Sequence, residues 1–335
     1  MIVAAISFMG FSLLFYILFG GADYGAGILE FFKGKQVRKE QREVIARAIG
    51  PVWEVNHVWL VLIVVILFMG FPGLYTLITT YLHIPVLLAL IGIILRGTTF
   101  AFRSYDSIRD STQNLYSALF TLSSALTPFW LGVTAGALVA GKLDPGATRF
   151  FDAYVMPWAN GFCFFMGLFT SSLFAFLASV YLIGETKQSH LKQIFRQRAR
   201  GFSQLSFVLG TGVLLLSWWE APHFFERFIN SWISLTAFGL GTLSLYPVSI
   251  CIREEKIALS RFFCGFQVFQ ILLGWFAAQY PVAVFIKNGS YPFKDFAAPT
   301  PTLFQLVVAL TFGSFTIIPA IIYLLIIFKG NTNRA

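Results

Sequence analysis

Polar and ionisable side chains stand at the head of an otherwise apolar run in this sequence. Glu54, Asn56 and His57, flanked by Trp53 and Trp59, open a segment that continues to residue 71 with no further charged or amide side chain. At helical spacing these side chains share one polar face, and Glu54 and His57 are i, i+3 neighbours able to share a hydrogen bond. A carboxylate beside an imidazole can pass protons, so the pattern predicts proton transfer or ion binding.

Two further ionisable residues interrupt apolar segments. Asp23 lies among small residues in Gly20–Gly27, and Arg96 lies two helical turns before Arg103. An ionisable group inside a membrane costs about 2.5–3.5 kcal/mol on insertion scales, so each is a candidate functional residue. The small residues permit close helix packing, and Arg96 requires a carboxylate partner, either Asp23 or Glu54.

Simpler interpretations of the same residues stay open at this point. Asp23 could sit near the headgroups on a packing face, and Glu54 could reach the interface from a belt of Trp53 and Trp59. Arg103 could be an ordinary anchor at a helix end.

The composition places these residues in a polytopic membrane protein. The chain has 335 residues, of which 57% are hydrophobic and 12% charged, and its mean hydropathy is +0.75. Because one span needs about 20 apolar residues, we predict an all-α fold of about nine transmembrane helices in one integral membrane domain, residues 1–335. The predicted segments are Ile2–Phe32, Pro51–Phe71, Ile84–Phe102, Leu115–Ala140, Tyr154–Ile183, Phe202–Trp219, Phe228–Ile252, Phe262–Phe285 and Leu303–Phe328.

The connection Glu185–Arg200 is the predicted midpoint, and it suggests two four-helix bundles plus one helix, with a possible pseudo-repeat boundary near 185–200. The connection Lys287–Pro301 has the composition of an ordered turn region.

Basic residues give the orientation. Of the 24 Lys and Arg residues, 19 fall on the odd-numbered connections and the C-terminus, and five on the even-numbered connections. The positive-inside rule then predicts the N-terminus outside and the C-terminus inside. The net charge of +9 is therefore interpreted as loop charge, and we expect no nucleic-acid partner. Asp23, Glu54, His57 and Arg96 all fall in the cytoplasmic half.

The cysteines and the remaining histidines predict neither a metal site nor a haem in this chain. Cys163, Cys251 and Cys264 show no CxxC spacing and are interpreted as buried small hydrophobes. A haem between two imidazoles needs a facing pair at one depth, and only His83 with His223 could form one. We therefore expect no catalytic, metal-binding or cofactor-binding residue here.

Three motifs in the first third of the chain resemble subunit II of the cytochrome bd-type quinol oxidases. They are Gly21-Ala22-Asp23-Tyr24-Gly25-Ala26-Gly27, Pro51-Val52-Trp53-Glu54-Val55-Asn56-His57-Val58-Trp59-Leu60, and Arg96-Gly97 through Phe102-Arg103. The length, the nine spans and the predicted orientation agree with that family as well.

The resemblance implies a partner, subunit I, that holds haem b and haem d, oxidises quinol and reduces oxygen to water. A small accessory subunit could join them, in a bacterial or archaeal cytoplasmic membrane. Two departures stand out: Gly20 replaces an acidic residue found in many members, and Glu54-Val55-Asn56-His57 replaces Asp-Gly-Asn-Gln, similar to the cyanide-insensitive branch. Gly20 puts in doubt a path that needs two carboxylates on the first helix.

On this basis we expect Asp23, Glu54 and His57 to line a proton path from the cytoplasm, with Asn56 fixing waters. Arg96, Arg103, Trp53 and Trp59 would support them through charge and packing. Two alternatives remain open. A secondary transporter could use the same buried charges, and a purely structural subunit could use them only for assembly.

Overall fold

A computed structural model describes residues 1–32, 38–50, 53–105 and 112–330 of the chain, and these residues are mainly helical. Pro51, the predicted start of the second span, lies outside the described residues. The elements in chain order are α1 (Ile2–Phe15), a π-helical turn (Tyr16–Gly20), α2 (Gly21–Leu29), α3 (Arg38–Ile49), α4 (Trp53–Gly70), α5 (Pro72–Tyr81), α6 (His83–Tyr105), α7 (Thr112–Val139), α8 (Phe150–Tyr154), α9 (Gly161–Ile183), α10 (Ser189–Glu220), α11 (Pro222–Asn230), α12 (Trp232–Leu243), α13 (Leu245–Arg253), α14 (Ile257–Gln279), β1 (Val282–Ile286), β2 (Gly289–Pro292), a 3₁₀ turn (Phe293–Phe296) and α15 (Thr300–Gly330).

Nine segments of the described chain are long and apolar enough to cross a bilayer, which confirms the predicted all-α membrane fold. The first span joins α1, the π-helical turn and α2, and the seventh joins α12 and α13. Ion pairs and hydrogen bonds connect the helices at one end of the bundle: Glu30 pairs with Arg103, Glu185 pairs with Arg261, and Arg198 donates to the Leu29 carbonyl oxygen. We call this end the basic side.

The helix α9 is the centre of the bundle. In its most apolar stretch 67% of the residues are buried, against 6% in the corresponding stretch of α15. It packs mainly against α10, α7 and α2. Two hydrophobic clusters fill the interior, and α9 contributes Phe162 and Met166 to one, and Phe174 and Leu177 to the other. The last helix is peripheral, so its apolar faces are free to meet lipid or another chain.

Several predicted segment boundaries are wrong, each for a local reason. The sixth span begins at Ser189 instead of Phe202, because most of the predicted connection Glu185–Arg200 is already helical as the first turns of α10. The fifth span begins at Gly161 instead of Tyr154, because Asn160 Oδ1 caps the helix by accepting the Cys163 N–H at 3.0 Å. The seventh begins at Trp232 instead of Phe228, because the α11 helix ends at Asn230 and Ser231 caps the next helix.

The eighth predicted segment, Phe262–Phe285, includes residues that form a strand. The α14 helix ends at Gln279, and Pro281, which lacks an N–H, separates it from β1. The β1 strand pairs antiparallel with β2 and also bridges to Leu143 through Ile286. The connection Lys287–Pro301, predicted as a turn region, thus contains the second strand of a hairpin and a 3₁₀ turn. The first strand lies in the predicted eighth segment, where the β-branched Val282, Val284 and Ile286 favour it.

Close contact between α2 and α9 depends on Gly25. A Cβ placed at this position would lie 1.9 Å from the Phe174 carbonyl oxygen and 2.8 Å from the Ala178 Cβ. This confirms that the small residues of the first span permit close helix approach.

We expect Gly25→Ala to push α2 away from α9 and to lower the stability of the protein by about 1–3 kcal/mol, the usual cost of overpacking. Gly239→Ala is the matched control, because no other atom lies within 4 Å of the position its Cβ would take, and alanine favours a helix. The measurement is the thermal unfolding midpoint of the purified protein. A midpoint for Gly25→Ala equal to that of Gly239→Ala would contradict the close contact.

Candidate functional site

The hydrogen-bond pattern of the first span changes just before the residue that carries its carboxylate, Asp23. The π-helical turn Tyr16–Gly20 interrupts the α-helix, and α2 then begins at Gly21 with Asp23 in its first turn. Such π-helical turns are rare and occur frequently at functional sites. Asp23 is 3% exposed, so its carboxylate lies inside the protein and away from the aqueous loops.

Arg96 of α6 is the ion-pair partner of Asp23. Its Nη2 donates a hydrogen bond to Asp23 Oδ1 and lies 3.5 Å from the Asp23 carbonyl oxygen, to which it also donates. Arg96 is fully buried, at 0% exposure. The prediction that Arg96 pairs with a carboxylate is therefore confirmed, with Asp23 as the partner.

Aromatic rings hold the Arg96 guanidinium in place. Its Cζ lies 4.8 Å from the centroid of the Tyr24 ring and 5.4 Å from that of Phe120. Stacking on aromatic faces suits a planar guanidinium and stabilises its charge. The pair is nevertheless incompletely hydrogen-bonded, because Asp23 Oδ2 and Arg96 Nε and Nη1 are buried without a hydrogen-bond partner among the described residues. A buried carboxylate oxygen with no donor is available to a proton or to a water molecule.

The helix α4 brings Asn56 and His57 to this pair. Asn56 is buried and its Nδ2 donates to the Phe19 carbonyl oxygen of the π-helical turn, at 3.4 Å. The His57 ring meets the Tyr24 ring edge-on, with centroids 6.1 Å apart, and its Nδ1 is buried with no partner in the described part of the chain. Tyr24 therefore contacts both His57 and the guanidinium of Arg96.

The two tryptophans fix α4 against its neighbours. Trp53 packs against Phe100 of α6 with ring centroids 5.6 Å apart, and its ring covers Gly97, where a Cβ would lie 3.3 Å away. Trp59 is buried and packs on Phe15 at 4.6 Å. Both act through packing, since they join α4 to the helices that carry Arg96 and Asp23.

Glu54 is placed differently from the other predicted residues. It lies in the first turn of α4 and is exposed on the surface of this chain. Asp23 is the ion-pair partner of Arg96 among the described residues, and His57 Nδ1 has no hydrogen bond to Glu54 or to any other described group. The structure thus brings together Asp23, Asn56, His57 and Arg96, and leaves Glu54 at the edge of the group.

A second buried ion pair was not predicted from the sequence. Glu30 is 1% exposed, and both of its carboxylate oxygens accept from Arg103, at 2.9 and 3.1 Å, while Arg42 Nε lies 3.6 Å away. The spacing offered a signal, because Glu30 follows Asp23 by seven residues and Arg103 follows Arg96 by seven. When the first span and α6 run in the same direction, this equal spacing allows Glu30 to meet Arg103 wherever Asp23 meets Arg96. Arg103 is therefore more than a surface anchor.

A cavity of about 150 Å³ opens beside Asp23. Its walls come from the first span, α3, α4, α9 and α15, and are mainly apolar. The polar side chains among its lining residues are Asp23, Asn56, Tyr181 and Glu185. Glu185 lies at the basic side, so the cavity extends from the buried carboxylate toward that end of the bundle.

The remaining candidates have other surroundings. The His83 ring packs edge-on against Tyr154, whereas the His223 ring stacks on Phe285. Over the part of the chain that the structure describes, no group of three or more His, Cys, Asp or Glu side chains could hold a metal ion. The site that the structure does show is a buried carboxylate, Asp23, held by a fixed cation, Arg96.

Comparison with protein families gives a match over most of the chain. A family model described as cytochrome bd terminal oxidase subunit II matches residues 1–328. A relative from Bacillus subtilis (strain 168), cytochrome bd ubiquinol oxidase subunit 2, is 27% identical over 256 residues, which are 76% of this chain and 72% of that protein.

A second protein of the same organism, the putative cytochrome bd menaquinol oxidase subunit II, is 23% identical over 290 residues, 84% of this chain and 83% of its own. Among solved structures, the bd oxidase from Geobacillus thermodenitrificans contains a chain with the same fold. The TM-score is 0.79 at 20% sequence identity, covering 98% of this chain and 99% of that chain.

Proposed function

The chain belongs to the family of cytochrome bd terminal oxidase subunit II, and we propose that it supplies the path by which protons reach the oxygen-reducing centre of the oxidase. The family makes it a subunit of a terminal quinol oxidase, an oxidoreductase of the respiratory chain. The proposal concerns what this subunit does within that complex. Asp23 is the central residue of the path, and Asn56 and His57 line it.

One observation carries the proposal. The Asp23 carboxylate is buried in a membrane span, it is held on one oxygen by Arg96, and its other oxygen has no hydrogen-bond partner among the described residues. An ion pair kept only for stability would be expected to satisfy both oxygens, as Glu30 does with Arg103. A carboxylate with an unused oxygen can accept a proton from water and release it again.

The haems belong to the proposed partner, a subunit I that holds haem b and haem d and oxidises quinol. The described histidines do not fit a haem held by two imidazoles, since half-buried His57 contacts Tyr24, while His83 and His223 lie against separate rings. No step is therefore assigned to a haem in this chain. Exposed apolar side chains on α4 and α15, such as Phe68 and Phe315, would face subunit I, a small accessory subunit or lipid.

The orientation of the chain in the membrane decides whether proton uptake through this path contributes to the proton motive force. With the basic side toward the cytoplasm of a bacterial or archaeal cell, protons for oxygen reduction enter from inside. If quinol releases its protons outside, charge is separated across the membrane without a pump. The excess of Lys and Arg on the connections of the basic side supports this orientation.

Purification of the native complex tests the assignment. We expect a haem-bearing partner to copurify, a reduced-minus-oxidised spectrum with b and d haems, and quinol-dependent oxygen uptake. A chain that purifies alone and without colour would favour the transporter alternative instead.

Glu54 lies on the surface at the start of α4, where it would collect protons for the proposed path. We expect Glu54→Gln to slow oxygen uptake by about threefold to tenfold while the haem spectrum stays unchanged, because an amide cannot take up a proton at the start of α4. Glu226→Gln is the matched control, since Glu226 is also exposed but lies on α11, at the opposite end of the bundle. Full turnover of Glu54→Gln removes Glu54 from the path and leaves the role of Asp23 intact.

A further inference from the structure

The cavity beside Asp23 has a second carboxylate at its wall. Glu185 lies two residues beyond the end of α9, on the basic side, and its side chain is 24% exposed. The cavity that it lines, of about 150 Å³, also touches Asp23 and Asn56. One partly exposed carboxylate and one buried carboxylate therefore border the same cavity.

Arg261 holds Glu185 in this position. Its Nη2 donates to Glu185 Oε1 at 2.9 Å and to the Tyr181 carbonyl oxygen at 2.9 Å, and its Cζ lies 5.2 Å from the Tyr181 ring centroid. The Arg261 guanidinium packs directly against the backbone of Gly184, where a Cβ would lie 2.5 Å from Nη2. The glycine thus permits the contact that fixes Glu185 at the edge of the cavity.

We propose that Glu185 is the residue through which protons from the basic side enter the cavity, and that Arg261 is its positioning residue. This inference rests on the proposed role of Asp23. Protonated Glu185 gives its proton to water in the cavity, water in turn protonates the unpartnered Oδ2 of Asp23, and Glu185 regains a proton from the aqueous side. Each transfer breaks one O–H bond and forms another, so no other reactant is required.

The size and the lining of the cavity support this path. One water molecule occupies about 30 Å³ in the liquid, so the cavity has room for several. Its polar side chains come from the first span and α4 (Asp23 and Asn56) and from the end of α9 and just beyond it (Tyr181 and Glu185), and alanines at positions 22, 26, 48 and 178 line the same space. Glu54 does not line the cavity, and Glu30 is held by both oxygens to Arg103. Among the described residues, Glu185 is thus the carboxylate that lines this cavity together with Asp23.

The test compares variants in the complete oxidase. We expect Glu185→Gln to slow quinol-dependent oxygen uptake about fivefold or more, to increase its solvent deuterium isotope effect, and to leave the haem spectrum unchanged. Glu255→Gln is the matched control, because Glu255 pairs with Arg196 at 2.8 Å on the same side but does not line this cavity. It should retain the turnover and the isotope effect of the unmodified oxidase.

A second variant leaves the ion pair of Glu185 intact. Ala48→Leu should fill part of the cavity from α3 and slow turnover in the same way. If Glu185→Gln and Ala48→Leu both keep full turnover while neutralisation of Asp23 abolishes it, protons enter elsewhere and the role of Asp23 stands. If neutralisation of Asp23 also leaves turnover unchanged, the proposed function fails, and the inference about Glu185 fails with it.

Discussion

Arg96→Gln is expected to prevent most of the chain from reaching the assembled oxidase. The substitution leaves the buried Asp23 carboxylate without its cation, and breaking one partner of a buried ion pair costs about 3–5 kcal/mol. Because whole domains are stable by only about 5–15 kcal/mol, such a loss is a large fraction of the total. Tyr24 and Phe120, which stack on the guanidinium, would lose their packing partner as well.

The measurement is the yield and thermal stability of the purified complex. Arg96→Lys is the control that keeps the charge but loses the planar guanidinium that stacks on Tyr24 and Phe120, so it should assemble at a level between those of Arg96→Gln and the unmodified chain. The double variant Asp23→Asn/Arg96→Gln should recover much of the yield, because no isolated charge remains. Equal yields for Arg96→Gln and Arg96→Lys would show that the pair contributes little to assembly.

The same double variant gives the largest expected effect on activity. Asp23→Asn/Arg96→Gln removes both charges and leaves a neutral amide at each position, so position 23 cannot carry a proton. We expect the assembled complex to show the normal haem spectrum and oxygen uptake reduced by about 10²-fold or more, in the range that positioned acid–base groups contribute. The assembled Arg96→Lys variant, which keeps the carboxylate, should retain most of the turnover. A purely structural pair would give normal turnover in both variants.

The main part of this site could be predicted from the sequence, because ionisable residues in apolar segments stand out. Asp23 and Arg96 could be found because an unpaired charge in a membrane is costly, so two charges predicted at one depth imply a pair. Their partners among the uncharged residues could not be assigned in the same way. The approach of α2 to α9 at Gly25 depends on the backbone of Phe174, and no periodicity identifies which helix supplies it.

Glu30 and Glu185 were not singled out from the sequence. Both lie at the ends of apolar segments, where charged residues are ordinary. The seven-residue spacing shared by the two ion pairs could have indicated Glu30. Glu185 borders the cavity only through the packing of several helices, including α3 and α15, which are far apart in sequence. The hairpin of β1 and β2 was hidden because its apolar first strand continues the hydropathy of α14.

Proton uptake during oxygen reduction tests the path through Asp23 most directly. The complete oxidase is placed in liposomes, its quinol-reduced form is mixed with oxygen, and the membrane potential and the protons taken from the basic side are recorded with time. We predict that Asp23→Asn/Arg96→Gln, with normal haems, loses the phase of potential that accompanies proton uptake. Proton uptake at the normal rate from the basic side in that variant would contradict a path through Asp23.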